Sequence, residues 1–264
     1  MTLESHFGLQ APPFPRCAPE AALLHHRGLQ DVLSRLHFAL SRDCIASLVA
    51  DAGCGKSTAL ALFARSLDTA NYHLLATSLT TLAPFGLLAS LCSACGFKAR
   101  RFKGETASLL LSHLRSLAKR TVLLVDEAHL LPDGSLEDLR LLTADGFDRK
   151  SPFALVLVGQ PRLRDRLAEP CHTSLAQRIA VRLRLRPLSE PELALFLERH
   201  LAAVGASHNP FEPPALAALF HHSRGVPRLV QNLALDAMLA AMDSGLTSIS
   251  TACVEQAVVD QDAV

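Results

Sequence analysis

The stretch that decides the fold is residues 44–67, which read CIASLVADAGCGKSTALALFARSL. Its first six residues are mostly apolar and predict a buried strand. Small residues and two glycines follow, and these predict a tight loop. From Ala59 onward the apolar spacing predicts a helix. The order of strand, glycine loop and helix indicates an α/β domain built on a parallel sheet.

The loop follows the Walker A pattern G-x-x-x-x-G-K-[ST], with Ala50 in place of the first glycine. Alanine can replace glycine wherever φ is negative, so this departure is mild. Backbone N–H groups of such a loop cradle phosphates, Lys56 is suited to reach the β- and γ-phosphates, and Ser57 is suited to bind Mg²⁺. The predicted nucleotide-binding residues are Ala50, Asp51, Ala52, Gly53, Cys54, Gly55, Lys56, Ser57 and Thr58.

Two further strands supply polar residues. The apolar run at residues 121–125 ends in Asp126 and Glu127, of which Asp126 is placed to hold Mg²⁺ through water and Glu127 to polarise the attacking water. A carboxylate at a strand end is often only a helix cap, which would account for one of the two. Residues 153–158 form another apolar run, and Gln160 follows it. Ligands of open α/β sheets bind outside the carboxyl ends of strands, so Gln160 is expected in the same cleft.

The remaining pattern predicts a second, helical domain. Residues 179–186 alternate as an edge strand does, and residues 74–79 are a weaker strand candidate. After Pro187, residues 190–204, 214–223, 227–242 and 251–260 have helical apolar spacing, with Ser189 and Glu192 as a capping box. We predict an α/β P-loop fold with a three-layer parallel sheet. We predict that the chain divides into an N-terminal strap (1–30), a nucleotide-binding domain (31–187) and a helical lid (188–264).

Composition excludes several classes of protein. The 26 Lys and Arg balance 25 Asp and Glu, so bulk charge cannot hold nucleic acid. The N-terminus has no signal-like apolar run, and Pro and Gly interrupt the uncharged stretch at residues 70–97, so we expect a cytoplasmic protein without a membrane span. Seven cysteines suit reduced thiols, and the isolated pair Cys92 and Cys95 is expected to pack inside a helix.

Local basic clusters remain available for DNA. The strongest contains Lys98, Arg100, Arg101 and Lys103 and is flanked by glycines, which predicts a loop. It is either solvated surface or a site for DNA phosphates, where an array of subunits would multiply a weak attraction. A second set, Arg162, Arg164 and Arg166, is expected on the same face or at a subunit interface.

The chain resembles the AAA+ ATPases, and within them the ExeA/GspA-like group, which includes stand-alone transposition ATPases of the TniB, TnsC and MuB kind. The resemblance spans nearly the whole chain and rests on these segments: residues 7–9 (FGL), 13–14 (PF), both Walker motifs, 158–161 (VGQP), 175–179 (LAQRI) and 223–228 (SRGVPR). It implies that Gln160 is a sensor of the γ-phosphate, Arg178 an arginine finger and Arg228 the second sensor.

The resemblance also implies ATP and Mg²⁺ as cofactors and assembly into a homo-oligomeric ring or filament. The function we expect is an ATP-dependent protein that binds double-stranded DNA and recruits or licenses a transposase, with a target-selecting protein as a further partner. The alternative is an ATPase for assembly of a secretion system. Proteins of that kind have a membrane helix and a peptidoglycan-binding region, neither of which we expect here. A degenerate ATP-binding scaffold is disfavoured by intact Lys56, Asp126 and Glu127.

Overall fold

The chain folds around a parallel β-sheet and a set of helices, as seen in a computed structural model that describes residues 2–15, 19, 22–78, 83–144 and 151–262. Within these ranges the strands are β1 (Ile45–Val49), β2 (Tyr72–Thr77), β3 (Arg120–Val125), β4 (Phe153–Gly159) and β5 (Ile179–Arg184). The helices are α1 (Leu3–Phe7), α2 (Arg27–Ser41), α3 (Lys56–Ser66), α4 (Pro84–Ala94), α5 (Lys103–Ser116), α6 (Asp133–Thr143), α7 (Pro161–Leu167), α8 (Thr173–Arg178), α9 (Glu190–Ala203), α10 (Pro213–Ser223), α11 (Pro227–Asp243) and α12 (Thr251–Asp262).

The described part of the chain divides into two compact units. The sheet unit comprises residues 28–52 and 56–185, and the helical unit comprises residues 1–27, 53–55 and 186–264. The N-terminal segment and the tip of the glycine loop therefore group with the C-terminal helices. The predicted division into a strap, a nucleotide-binding domain and a lid, with boundaries at residues 30 and 187, stays a prediction.

The five strands of the sheet unit lie in the order β2-β3-β4-β1-β5, and every neighbouring pair is parallel. Each residue of β4 is buried, as is each residue of β3 after Arg120. A strand that is buried at successive positions must be covered on both faces, because its side chains alternate between them. The predicted three-layer α/β fold is confirmed.

The outer strands show why their sequence patterns were weaker. β5 lies at one edge and alternates buried with exposed residues, which confirms the predicted edge strand. β2 lies at the other edge and is mostly half-buried, so its apolar signal was faint. The predicted strand at residues 74–79 begins two residues later than β2, and its last residue, Leu79, lies outside the described residues.

The helical unit has its own apolar core, formed mainly by α9, α10, α11 and α12. The predicted capping box begins α9: the Ser189 backbone N–H donates to Glu192 Oε2 at 2.8 Å, and Arg186 donates to both carboxylate oxygens of Glu192 at 2.7 and 2.8 Å. The Ser189 hydroxyl also donates to Glu192 Oε2, at 2.9 Å, so four hydrogen bonds converge on one carboxylate at the start of α9. No helix among the described residues combines the length and hydropathy that crossing a membrane requires.

Candidate nucleotide-binding and hydrolysis site

The glycine loop follows β1 and ends at the first residue of α3. Gly53 and Gly55 have φ of +78° and +89°, a conformation that side chains with a Cβ rarely adopt. Ala50 is not among the residues with positive φ, which explains how alanine replaces the first glycine of the pattern. The backbone geometry therefore requires glycine at two of the positions where the sequence has it.

Lys56 is positioned by the loop that precedes it. Its side chain is buried, and Nζ donates to the backbone oxygens of Ala50 at 2.9 Å and Asp51 at 3.0 Å. An ammonium group has three donors, so these bonds use two of them. The ammonium group is thus held across the loop, at the start of a helix whose N-terminal end attracts anions. Ser57 and Thr58 follow in the same first turn and are exposed.

Strand register brings the polar residues after β1, β3 and β4 to one edge of the sheet. Val49 pairs with Gly159, and Val125 pairs with Leu157. The residues that leave β1 and β4 at this edge, Ala50 and Gln160, are therefore neighbours, and the carboxylates after β3 lie one strand away. This is the edge where parallel α/β sheets bind ligands.

Asp126 and Glu127 are fixed by an unusual backbone turn. Glu127 has φ 50° and ψ 33°, the left-handed region that is uncommon for a residue other than glycine. Its N–H donates to Asp126 Oδ1 at 2.8 Å. Backbone outliers of this kind cost free energy and concentrate at functional sites. The turn thus follows directly on β3, and the roles of Asp126 as metal ligand and of Glu127 as base stay predictions.

His129 is a site residue that the sequence reasoning missed. It belongs to a 3-10 turn at Ala128–Leu130, and its Nδ1 lies 3.4 Å from Glu127 Oε2 and 3.5 Å from the backbone N of Gln160. The side chain is only 6% exposed. A histidine two residues after the second carboxylate, in an otherwise apolar segment, was the available signal.

The charge state of His129 follows from its surroundings. Burial holds its pKa below the usual value, Glu127 opposes this effect, and Lys56, Arg162 and Arg166 lower the pKa further. The lowered pKa favours the neutral form of the imidazole at pH 7. A neutral imidazole has one N–H donor and one acceptor nitrogen, so Nδ1 can either donate to Glu127 or accept from Gln160.

The three arginines of α7 differ in their contacts. Arg166 donates to the backbone oxygens of His129, at 2.9 Å, and of Leu131, and it also pairs with Asp133. Arg164 is exposed and pairs with its neighbour Asp165, while Arg162 is exposed. A position on the DNA-binding face or at a subunit interface stays a prediction for Arg162 and Arg164. The guanidinium of Arg166 is bound within the subunit instead, where it anchors the turn that holds His129.

The predicted finger and second sensor are both exposed arginines. Arg178 is the last residue of α8, directly before the edge strand β5. Arg228 is the second residue of α11 in the helical unit, and its N–H donates to Gly53 O at 3.3 Å. A Cβ added to Gly53 would lie 2.9 Å from Arg228 Cβ, so glycine is required here for space as well as for φ.

Three residues of the basic cluster, Lys98, Arg100 and Arg101, lie between α4 and α5, as the flanking glycines predicted. Lys103 is the first residue of α5, so the predicted loop is wrong at that position. The side chains of Lys98, Arg100 and Arg101 are exposed, and no carboxylate among the described residues forms an ion pair with them. Arg101 lies over the ring of Phe102, 5.6 Å from its centroid, and this ring is 60% exposed. Lys103 differs, because its Nζ is 2.7 Å from Asp138 Oδ1.

The glycine loop, the buried Lys56 and the paired carboxylates define a P-loop nucleotide-binding domain. Residues 40–167 match the AAA domain family. The chain is 34% identical over 250 residues to general secretion pathway protein A of Aeromonas hydrophila, covering 90% of the chain and 45% of that protein. It is 29% identical over 139 residues to the Mu-like prophage FluMu DNA transposition protein B of Haemophilus influenzae, covering 52% of the chain and 45% of that protein.

Among solved structures, the Aeropyrum pernix ORC1 protein in complex with DNA has the same fold, with a TM-score of 0.66 at 20% identity over 94% of this chain and 68% of that one. The chain belongs to the AAA+ ATPases and is similar to the ExeA/GspA-like group within them. It spans less than half the length of the curated relatives that it matches.

Proposed function

We propose that this protein is an oligomerising, ATP-dependent DNA-binding ATPase that regulates transposition by recruiting or licensing a transposase at target DNA. The observation that carries the proposal is the basic loop. Its three cations, Lys98, Arg100 and Arg101, have no carboxylate partner among the described residues and remain available to phosphates. Lys103 is engaged by Asp138, so we assign it a structural role in place of the predicted DNA contact.

The cofactors proposed are ATP and Mg²⁺. The loop fits a triphosphate, because Gly53 and Gly55 take the positive φ of a phosphate-binding nest and Lys56 is fixed at the helix start. Ser57 and Asp126 would hold the metal ion, which supplies charge neutralisation at the phosphates. Glu127 would orient and polarise the attacking water.

Hydrolysis is proposed to depend on neighbouring subunits. Gln160 would sense the γ-phosphate and Arg228 would act as the second sensor from the helical unit. Arg178 is exposed beside an edge strand, a position from which an arginine can reach the active site of an adjacent copy. An arginine supplied in this way is worth about 10³ to 10⁵ in rate.

Assembly also explains how a nearly neutral chain could bind DNA. With a formal net charge of +1, one subunit has no field strong enough for tight binding. Basic loops repeated along a ring or filament would add their phosphate contacts, so that binding requires ATP and assembly. The relatives support this proposal, since one is named a DNA transposition protein and one similar structure contains DNA. A cytoplasmic location and a target-selecting partner belong to the same proposal.

The test is duplex binding measured by fluorescence polarisation, with and without a non-hydrolysable ATP analogue, over a salt series. We expect binding that requires the analogue and weakens steeply with salt. The double variant Arg100→Ala/Arg101→Ala removes two phosphate contacts per subunit, so the slope of log affinity against log salt should fall by about 2 for each bound subunit.

The matched control is Arg35→Ala/Arg42→Ala, which makes the same charge change elsewhere in the sheet unit. Arg42 lies over Phe38, 5.1 Å from its ring centroid, so the control also loses an arginine stacked on an exposed ring. Equal weakening by the two double variants would reject the basic loop as the DNA site. If the wild type shows no nucleotide-dependent binding at low salt, the DNA proposal itself fails.

The second candidate is an ATPase that acts in assembly of a secretion system. It is favoured by the 34% identity to general secretion pathway protein A, which extends over 90% of this chain. The two candidates share the ATPase site and differ in the ligand of the assembled form. Failure of duplex binding, together with intact nucleotide-dependent assembly, would favour this candidate.

A further inference from the structure

The turn that follows β3 connects Glu127 to the end of β4 through a single side chain. His129 Nδ1 accepts a hydrogen bond from the Gln160 N–H at 3.5 Å, and it lies in contact with Glu127 Oε2 at 3.4 Å. These contacts reach the base of the reaction on one side and the backbone of the sensor residue on the other. His129 thus bridges two residues of the site that lie 33 positions apart in the chain.

The backbone that presents His129 is itself fixed. Arg166 donates from α7 to the carbonyl oxygens of His129 and Leu131. At the end of β4, a Cβ on Gly159 would lie 3.3 Å from the backbone N of His129, so the turn and the strand are in close approach. The imidazole therefore has little freedom to move away from Glu127.

We propose that His129 is a positioning residue for ATP hydrolysis, which holds the Glu127 carboxylate through a hydrogen bond from Nδ1 and so sets where this base lies. The negative charge of the Glu127 carboxylate decides which tautomer of His129 suits this position. While Nδ1 accepts from the Gln160 N–H it is unprotonated, and a negative oxygen lies 3.4 Å away. The tautomer with hydrogen on Nδ1 would turn this unfavourable contact into a hydrogen bond. In that tautomer the bond would be charge-assisted and buried, and the 3.4 Å contact would shorten toward the roughly 2.7 to 2.9 Å of such bonds.

The other hydrogen-bond partner of Nδ1 is the backbone N–H of Gln160. If Glu127 moves away, the same nitrogen can lose its hydrogen to the other tautomer and accept from the Gln160 N–H. The two hydrogen bonds exclude each other, because one requires hydrogen on Nδ1 and the other requires its lone pair. The positions of the base and of the end of β4 are coupled in this way through one imidazole.

The test compares two amide side chains, asparagine and glutamine, at position 129. The side-chain nitrogen of asparagine can occupy the place of imidazole Nδ1, while glutamine places its amide near Nε2 instead. We expect His129→Gln to lower kcat by about tenfold or more, with the roughly 10² to 10⁴ that a positioned base contributes as the upper limit. His129→Asn should restore much of that loss. The KM for ATP should change little in both variants, because the loop around Lys56 is untouched.

A second experiment shows whether the effect passes through Glu127. In a Glu127→Gln background the residual rate should be the same with Asn or Gln at position 129, since the carboxylate that His129 holds is gone. His200→Gln serves as the control for a buried histidine that contacts a backbone oxygen of its own helix, Phe196 O at 2.9 Å. It should alter stability without lowering kcat in folded protein.

The inference rests on ATP hydrolysis and is independent of DNA. Equal kcat for His129→Asn and His129→Gln, with both variants folded by circular dichroism and binding a fluorescent ATP analogue, would overturn it. So would an Asn-to-Gln difference that persists without the Glu127 carboxylate. A wild-type protein that binds ATP and does not hydrolyse it would reject the hydrolytic part of the proposed function, and His129 as a hydrolytic residue with it.

Discussion

At the scale of single residues, Lys56 has the most direct consequence for ligand binding. Its Nζ is held by Ala50 O and Asp51 O at the start of α3, where a phosphate would bind. Lys56→Ala should weaken ATP binding about ten- to a hundredfold, because a charge-assisted hydrogen bond contributes roughly 1.5 to 3 kcal/mol. Titration with a fluorescent ATP analogue measures this. The control is Arg65→Ala, which removes a positive charge in the last turn of the same helix. Unchanged ATP affinity in Lys56→Ala would reject the phosphate-binding role of Lys56.

Two glycines of the helical unit separate backbone strain from steric overlap. Gly225 has φ +72° and Gly245 has φ +70°, but a Cβ on Gly225 would lie 2.0 Å from Leu188 O, while a Cβ on Gly245 meets nothing within 4 Å. Gly245→Ala should lower the free energy of unfolding by about 1 to 2 kcal/mol, the cost of the left-handed conformation alone. Gly225→Ala should cost more, about 4 kcal/mol or above, since the backbone must also shift.

Urea denaturation of both variants gives the comparison. The excess loss in Gly225→Ala measures the cost of separating Gly225 from Leu188, whose N–H also donates to Gly225 O at 2.8 Å. Equal losses in the two variants would mean that the approach of these two backbone segments is easily relieved.

The sequence alone was enough to predict which charged residues belong to the candidate site, but it did not predict which groups they contact. The spacing of Lys56, Asp126 and Glu127 was sufficient to predict them as site residues, because phosphate chemistry requires those groups after a strand. His129 was missed because its role depends on the register that brings β4 beside the turn after β3. Arg166 was misjudged because an arginine bound to backbone oxygens has the same sequence pattern as one exposed on the surface.

At the scale of elements, the start of α9 makes stability depend on pH. Arg186 lowers the pKa of Glu192 to about 2, with further help from the backbone and hydroxyl of Ser189 and against an opposing effect of burial. A carboxyl group whose pKa is lower when folded stabilises the fold above its unfolded pKa. This contribution is lost as pH falls from about 4.5 through about 2.

Glu192→Gln should therefore lower the free energy of unfolding by about 1 to 3 kcal/mol at pH 7, the value of a charged hydrogen-bonded group. The difference from wild type should shrink as pH falls below 4.5. Urea denaturation at a series of pH values measures it, and Glu198→Gln, at an exposed position of α9, is the control. A difference that stays constant down to pH 2 would show that the charge on Glu192 is not the cause.

Element positions were predictable where burial is uniform. β1, β3 and β4 are nearly continuous apolar runs, because both faces of these inner strands are covered. The start of β2 was less predictable, since half-buried residues at an edge leave little pattern. The sequence also could not indicate that the N-terminal segment groups with the C-terminal helices, since those contacts join the two ends of the chain.

At the scale of the whole molecule, charge balance and the exposed arginines have to be considered together. A formal net charge of +1 gives each subunit little attraction for DNA, and Arg178 is exposed and far along the chain from the Walker segments. Both features are explained if the working unit is an assembly, in which basic loops are repeated and one subunit completes the site of the next. A contact of this head-to-tail kind produces rings or filaments.

Mixing inactive variants tests this shared site. Arg178→Ala subunits keep the P-loop, and Lys56→Ala subunits keep the arginine, so each alone should hydrolyse little ATP. If the arginine acts on a neighbour, random equal mixing gives about a quarter of head-to-tail interfaces an intact P-loop and an intact arginine, and hydrolysis should recover toward that fraction. Recovery should require conditions in which subunits exchange. The control is a mixture of Lys56→Ala and Glu127→Ala subunits. Both changes lie on the P-loop side of the interface, so no interface in this mixture has a complete site. Failure of the first mixture to recover, in assemblies that light scattering shows to be formed, would place Arg178 outside the neighbouring site.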